Sequence, residues 1–180
     1  EGPSAQATEY GNPVTLTPDV RPQLALDGDP STAWTVAAFS DPVGERIEVT
    51  YPDPVTTTTV TLQQAPGNRT ITRVALSFDD SEPVVVDLGP ESLEDQQIDI
   101  GEQTFQFLDI EILAVEPDTE SFAGLSGVGF AEIAIPGVDP ATEKVRVPVD
   151  LTDAVSAQAD AAMFPITYLF TRLRSSAVNP

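Results

Sequence analysis

Residues 24–34 read LALDGDPSTAW, and they crowd two aspartates, a glycine, a proline, two hydroxyls and the chain's single tryptophan into eleven positions. Three readings compete: a loop around a cation, a loop that holds a sugar, and an ordinary turn at a sheet edge. Taken alone, aspartates flanking a glycine fit a plain turn. A cation reading has its own chemistry. A hard cation takes about six to eight oxygen ligands, and a chain turning sharply at Gly28 can aim carbonyls and the Asp27 carboxylate inward. Asp29 and Thr32 add further oxygens nearby. The remainder of the chain decides between these readings.

Downstream, short β-branched runs alternate with Pro, Gly, Asp and Asn. RIEVTY (46–51) sets Ile47, Val49 and Tyr51 against Arg46, Glu48 and Thr50, the period of two of a half-buried strand. TTTTVTLQQ (56–64) has high β-propensity, with Val60 and Leu62 on one face, and APGN (65–68) follows as a turn. TITRVALSF (70–78) predicts a strand with Ile71 on the face opposite Val74 and Leu76. PVVVDL (83–88) and QQIDI (96–100) are shorter strands, and QFLDIEIL (106–113) turns Leu108, Ile110 and Ile112 inward against Asp109 and Glu111. VGFAEIAIPG (128–137) closes the series, with Phe130, Glu132 and Ala134 on one face and Ala131, Ile133 and Ile135 on the other. Strands so spaced predict an all-β, antiparallel β-sandwich or jelly roll. After Gly137 the pattern changes. TEKVRVPVDL (142–151) reads as extended, 152–164 as the one helix, ended by Pro165, and ITYLFTRLR (166–174) as a strand. The expected division is a sandwich over 1–138 and, over 139–180, a C-terminal extension or the start of a neighbouring domain.

Composition removes whole classes of function. Twenty-nine acidic residues against 8 basic ones give a net charge of −21 in a chain of 180. Such a surface repels nucleic-acid phosphates and anionic membranes. With no cysteine there is no disulfide framework or thiolate nucleophile, and with no histidine the commonest general base is missing. Any metal must take oxygen ligands, which favours calcium or magnesium. Glycosidases need two carboxylates at a set separation, and no pair stands out here. The sequence begins at Glu1 and has no apolar run near 20 residues, so the expectation is an excised fragment without a membrane segment of its own.

The series from Asp27 to Trp34, with Gly28, Asp29 and Thr32 between, resembles the DG-D-x-x-T-x-W loop of the discoidin family, also called F5/8 type C or galactose-binding-like. The likeness runs from Tyr10-Gly11-Asn12 to the closing VGFAEIAIPG, about 100 residues beyond the loop, a spacing suited to domains of this size. It implies an antiparallel jelly roll with its ends close together and a structural calcium beside the loop. The implied ligands are Leu24, Asp27, Asp29, Thr32, Ala131 and Glu132, with Glu132 tying the last strand to the loop and Trp34 packed beneath it. VGFAEIAIPG, VRVPVDL and YLFTRLR together are similar to discoidin-type modules of the large membrane-bound α-(1→3)-arabinofuranosyltransferases of actinobacterial cell-wall synthesis. That likeness implies a non-catalytic, extracytoplasmic module of a larger enzyme in the cell envelope, binding arabinan- or galactan-type polysaccharide. The alternative is a spacer that holds neighbouring domains and has no glycan site. A sugar site needs an aromatic face and hydrogen-bonding side chains, and in discoidin modules it lies in loops at one end. Phe39, Asn68, Arg69 and Phe122, in the loops 36–44, 65–70 and 118–127, are the candidates.

Overall fold

The computed structural model describes residues 2–12, 14, 17–79, 81–116 and 126–144. The expected helix over 152–164, the strand over 166–174, most of the extended piece over 142–151, and Phe122 lie outside them. Among the described residues seven strands form: β1 (Ser4–Ala7), β2 (Trp34–Val36), β3 (Arg46–Gln64), β4 (Thr70–Phe78), β5 (Val84–Asp87), β6 (Gln96–Glu116) and β7 (Val128–Ala134). They pair antiparallel in the order β2-β7-β3-β6-β4-β5, with β1 added to β3. No helix among the described residues is long and apolar enough to cross a membrane.

Sequence periodicity separates 46–51 from 56–64 and 96–100 from 106–113. The structure joins each pair into one long strand, β3 and β6, and each serves both layers of the sandwich. The first half of β3 pairs with β1 and the second half of β6; its second half pairs with β7 and the first half of β6. The corner is Tyr51-Pro52-Asp53-Pro54. The register steps there from Thr50 opposite Phe107 to Val55 opposite Phe105. Prolines offer no N–H to a ladder, so they suit a place where pairing lapses. The Gln106 side-chain amide donates to the carbonyls of Tyr51 (3.1 Å) and Pro52 (3.4 Å), satisfying oxygens that the lapsed ladder leaves free.

Two further irregularities correct the face assignments. Within β4, the register skips Thr72 between Ile71 and Arg73. An extra residue reverses the alternation. Ile71, expected opposite Val74 and Leu76, therefore joins them in the core, all three at 0% exposure. In β7, Gln63 pairs with Glu132 but Gln64 pairs with Phe130, so Ala131 is skipped. Phe130 and Ile133, expected on opposite faces, are both buried.

The core between the layers is built from Trp34, Ile47, Leu62, Leu76, Leu108, Ile110, Ile112 and Phe130. Trp34 stacks on Phe130 with ring centroids 6.2 Å apart, and Phe105 meets Tyr51 edge-on at 5.8 Å and Phe78 at 4.8 Å. Burial raises the Tyr51 hydroxyl well above its ordinary pKa. The buried Gln64 amide is satisfied on both sides, donating to Ile71 O (2.9 Å) and accepting from Ile71 N (2.6 Å). The chain divides into a compact unit Glu1–Thr142 and a second, Glu143–Pro180. Ala141 belongs to the first: it is buried and its N–H donates to Leu26 O at 2.7 Å.

Gly129 lets β2 lie against β7. A Cβ there would stand 2.0 Å from the Trp34 carbonyl oxygen, a backbone atom that cannot swing away. Gly129→Ala is expected to lower stability by about 1–3 kcal/mol, as overpacking does, with a shifted urea midpoint as the measure.

Candidate functional site

Thr17 to Trp34 contain two single-turn 3-10 helices, Pro18–Val20 and Pro22–Ala25, each started by proline. They deliver the chain into the 27–32 turn. Asp27 forms an Asx turn, its Oδ1 accepting from the N–H of Asp29 at 3.0 Å, and Gly28 takes φ +75°, where a side chain is disfavoured. These local bonds gather oxygens around one point. Thr32 Oγ1 lies 3.3 Å from Leu24 O, 2.8 and 3.0 Å from the two Asp27 carboxylate oxygens, and 3.0 Å from Asp29 O. A hydroxyl has one proton, so it can satisfy one of these four acceptors at a time. Asp27 Oδ1 also accepts from Asp29 N–H at 3.0 Å and Asp29 O from Thr32 N–H at 2.9 Å, which leaves Leu24 O and Asp27 Oδ2 to share that one proton.

Glu132 approaches the same loop from β7. Its Oε1 is buried with no hydrogen-bond partner. Burial first, and then the charge of Asp27, push its carboxyl up to about 7; the N–H groups of Gly28 and Asp29 hold it down in part, and the charge of Asp29 raises it further. Ala131, skipped in the β3 ladder, is also unpaired with β2, since that ladder ends at Phe130 opposite Trp34. A bulge leaves its extra residue outside the ladder bonds.

The structure therefore brings Leu24, Asp27, Asp29 and Thr32 to one point, with Glu132 within electrostatic reach. Asp29 enters differently from expectation. Its carboxylate turns to Ser31, accepting from the N–H at 3.0 Å and the hydroxyl at 2.6 Å, and these bonds lower its pKa. Its backbone carbonyl, rather than its side chain, faces the cluster. No group of three or more Asp or Glu side chains among the described residues converges on a metal-sized point, so the oxygens of any cation site here must include carbonyls and a hydroxyl. Trp34 is fully buried and donates from Nε1 to Glu9 O at 3.0 Å, so it underpins the loop and offers no open face.

A second feature lies in the 36–44 and 65–70 loops. Ala37 and Phe39 have φ of +58° and +71°, left-handed values that cost non-glycine residues of order 1–3 kcal/mol each. Phe39 is 45% exposed. The loop is held by Arg69, which is not at the surface as a ligand-contacting residue would be: it is 5% exposed. Its guanidinium donates to Ala37 O (2.6 Å), Ser40 O (2.8 Å) and Ser126 O (2.6 and 3.0 Å). Burial lowers its pKa, with the charge of Asp41 opposing. Asn68 remains exposed and exchanges two bonds with Ser126, its N–H donating to Oγ at 3.0 Å and its Oδ1 accepting from N–H at 2.8 Å. Sequence reasoning found Phe39 and Asn68 as loop residues and missed the inward turn of Arg69. Gly67 was the available signal: a Cβ there would stand 2.5 Å from Ser126 Oγ, so the loop must pack closely.

A family profile for a domain of unknown function, DUF7402, matches residues 25–135, from the aspartate loop through the last strand. The chain belongs to this family. No curated protein matches it. Among solved structures, the DUF7402 chain is similar to the family 32 carbohydrate-binding module of C. perfringens NanJ in complex with galactose, at TM-score 0.53 and 16% identity, covering 73% of this chain and 90% of that one. Chitosan-binding module 2 of the chitosanase/glucanase from Paenibacillus sp. IK-5, in complex with chitotriose, gives 0.53 and 14%, covering 73% and 93%. The arabinofuranosyltransferase AftD from Mycobacteria gives 0.57 and 17%, covering 74% of this chain but 10% of that one. At these identities the likeness establishes the fold alone, an antiparallel jelly roll shared with these modules.

Arg69→Met would keep the stem but take the guanidinium from the Ser40 and Ser126 carbonyls and leave Ala37 O with the Ser40 N–H alone. The expected outcome is a loss of about 2–4 kcal/mol in denaturant unfolding. Amide hydrogen exchange should also accelerate across residues 37–40.

Proposed function

We propose that this chain is a non-catalytic carbohydrate-binding module whose 36–44 loop presents Phe39 to the apolar face of a sugar ring, with Asn68 as a neighbouring polar contact. The observation that carries this reading is the held loop. Two non-glycine residues adopt left-handed backbone, and a buried guanidinium maintains them, while the phenyl ring stays exposed. Exposing a phenylalanine at a strained site works against folding on both counts. Strain of this kind concentrates where a side chain must be presented to a ligand. Neighbours of the same fold described with galactose and with chitotriose support the ligand class.

The second part of the proposal is a structural calcium ion. Its ligands are the carbonyls of Leu24, Asp29 and Ala131, the Asp27 carboxylate, Thr32 Oγ1 and Glu132. The ion would supply the positive charge that Leu24 O and Asp27 Oδ2, sharing one hydroxyl proton, and an orphaned buried carboxylate oxygen lack. It has no role in bond-breaking. The AftD likeness supports a wider setting: a module of a larger, membrane-anchored cell-wall glycosyltransferase, outside the cytoplasm, contacting arabinan- or galactan-type chains.

Titration calorimetry with arabinan and galactan oligosaccharides tests the ligand reading. Binding that weakens at least about tenfold in Phe39→Ala, with the melting temperature unchanged, is expected. Absence of binding at millimolar ligand would favour the spacer role. For the ion, melting is measured with calcium and with a chelator. Saturation at about 100 times the dissociation constant adds about 2.7 kcal/mol, a shift of several degrees. Asp27→Ala should remove that shift, and an unchanged midpoint in chelator would contradict the site.

A further inference from the structure

Beyond β7 the chain turns back across the aspartate loop. Gly137 takes φ +82°, and the Val138 N–H donates to Ile135 O at 3.1 Å. Residues 138–142 then run as a strap between two glycines. A Cβ on Gly28 would stand 2.9 Å from Pro140 Cγ, and a Cβ on Gly2 would stand 2.9 Å from Pro140 O and 3.1 Å from Ala141 Cα. The missing side chains let the strap pass. The Ala141 N–H fastens it to Leu26 O at 2.7 Å, and Ala141 itself is buried. Beneath lies a cavity of about 100 Å³, whose walls include Leu26, Gly28, Tyr51, Glu132, Val138 and Pro140. Atoms facing a void lose contacts on that side, so packing alone holds the strap weakly.

The strap's footing coincides with the proposed calcium site. Leu26 lies within the stretch from Leu24 to Asp27, and Gly28 stands between Asp27 and Asp29. The cavity brings Val138 and Pro140 of the strap together with Gly28 and Glu132. With no ion, Asp27 and Glu132 set like charges on the loop and on β7. A cation held between them turns that repulsion into attraction and fixes the backbone of Leu26 and Gly28, on which the strap rests.

We propose that residues 138–142 are a calcium-dependent latch, closed on the 26–28 loop when the ion is bound and released when it is not. The proposal rests on the ion reading above and adds a consequence to it. Thr142 is the last residue of the first compact unit. Ion binding therefore decides whether the chain leading to Glu143 is fixed to the sandwich or free, in the glycan-binding role and in the spacer role alike. Linkage adds a second consequence: an ion that favours the closed strap binds the closed form more tightly, by the same factor.

The test is amide exchange followed by NMR on the full chain, in calcium and in chelator, together with melting and calcium titration calorimetry. The expected result is that calcium slows exchange at Ala141 at least about tenfold beyond any slowing of the core amides of β6 at 108–112. General stabilisation by the ion would slow strap and core together. Gly2→Val lies outside the ligand set and wedges a side chain against Pro140 O. It should leave Ala141 fast in both conditions and raise the calcium dissociation constant about tenfold. A calcium-induced rise in melting temperature with no change specific to Ala141 would overturn the latch and leave the ion site standing. So would parental calcium affinity in a Gly2→Val chain whose Ala141 amide is freed. Absence of both the melting shift and calcium heat would remove the ion site, and the latch with it.

Discussion

Oxygen atoms that lack donors cannot be gathered in a partly buried place at no cost, because each loses water and gains nothing in return. The 24–32 loop does gather them. Leu24 O and Asp27 Oδ2 share the single Thr32 hydroxyl proton, and Glu132 brings a buried oxygen that nothing in the described residues satisfies. Much of the domain hangs from this loop. Trp34 leaves it to form the edge strand and stack on Phe130, and Leu26 accepts the bond that holds Ala141. The skipped Ala131 places Glu132 beside the loop while Phe130 stays in the core. The proposed ion would resolve a shortage that the folded chain creates.

The same economy of irregular positions shapes the rest of the sandwich. Two long strands cross from one layer to the other at a Pro-Asp-Pro corner, and the Gln106 amide satisfies two of the carbonyls freed there. The free side of β1 is closed by a side chain acting as a strand. Gln23 accepts from Ala5 N–H and donates to Pro3 O, both at 3.1 Å. Such closure protects an edge from pairing with another chain. Where backbone order lapses, a side-chain amide or guanidinium takes over: Gln23, Gln106 and Arg69 do this at three separate places.

The strands were legible in the sequence because alternation over 46–51, 106–113 and 128–135 follows from one face meeting a core. What alternation does not register is a bulge. Ile71 and Phe130 were placed on the wrong side because one extra residue in each strand reverses every face beyond it, and a bulge leaves no mark in hydrophobicity. The joining of β3 across its prolines was hidden for a related reason: proline reads as a strand end unless the layers are known to bend there. In the cation cluster the residue types were readable, and the atoms were not. Asp29 faces inward through its carbonyl because its carboxylate is claimed by Ser31, a competition settled by turn geometry. Arg69 read as a loop residue open to a sugar. Its burial depends on three carbonyls from segments distant in the chain, and no local pattern reports them.

The central claim is that the loop and the last strand are fastened by one cation held by mixed oxygens. A crystal structure of the full chain grown in calcium, with anomalous scattering measured, tests it most directly. The account predicts one strong anomalous peak within about 2.3–2.6 Å of Leu24 O, an Asp27 carboxylate oxygen, Asp29 O, Thr32 Oγ1, Ala131 O and a Glu132 carboxylate oxygen. Density with no peak at that point in millimolar calcium, or a peak with neither Glu132 carboxylate oxygen bound, would contradict it.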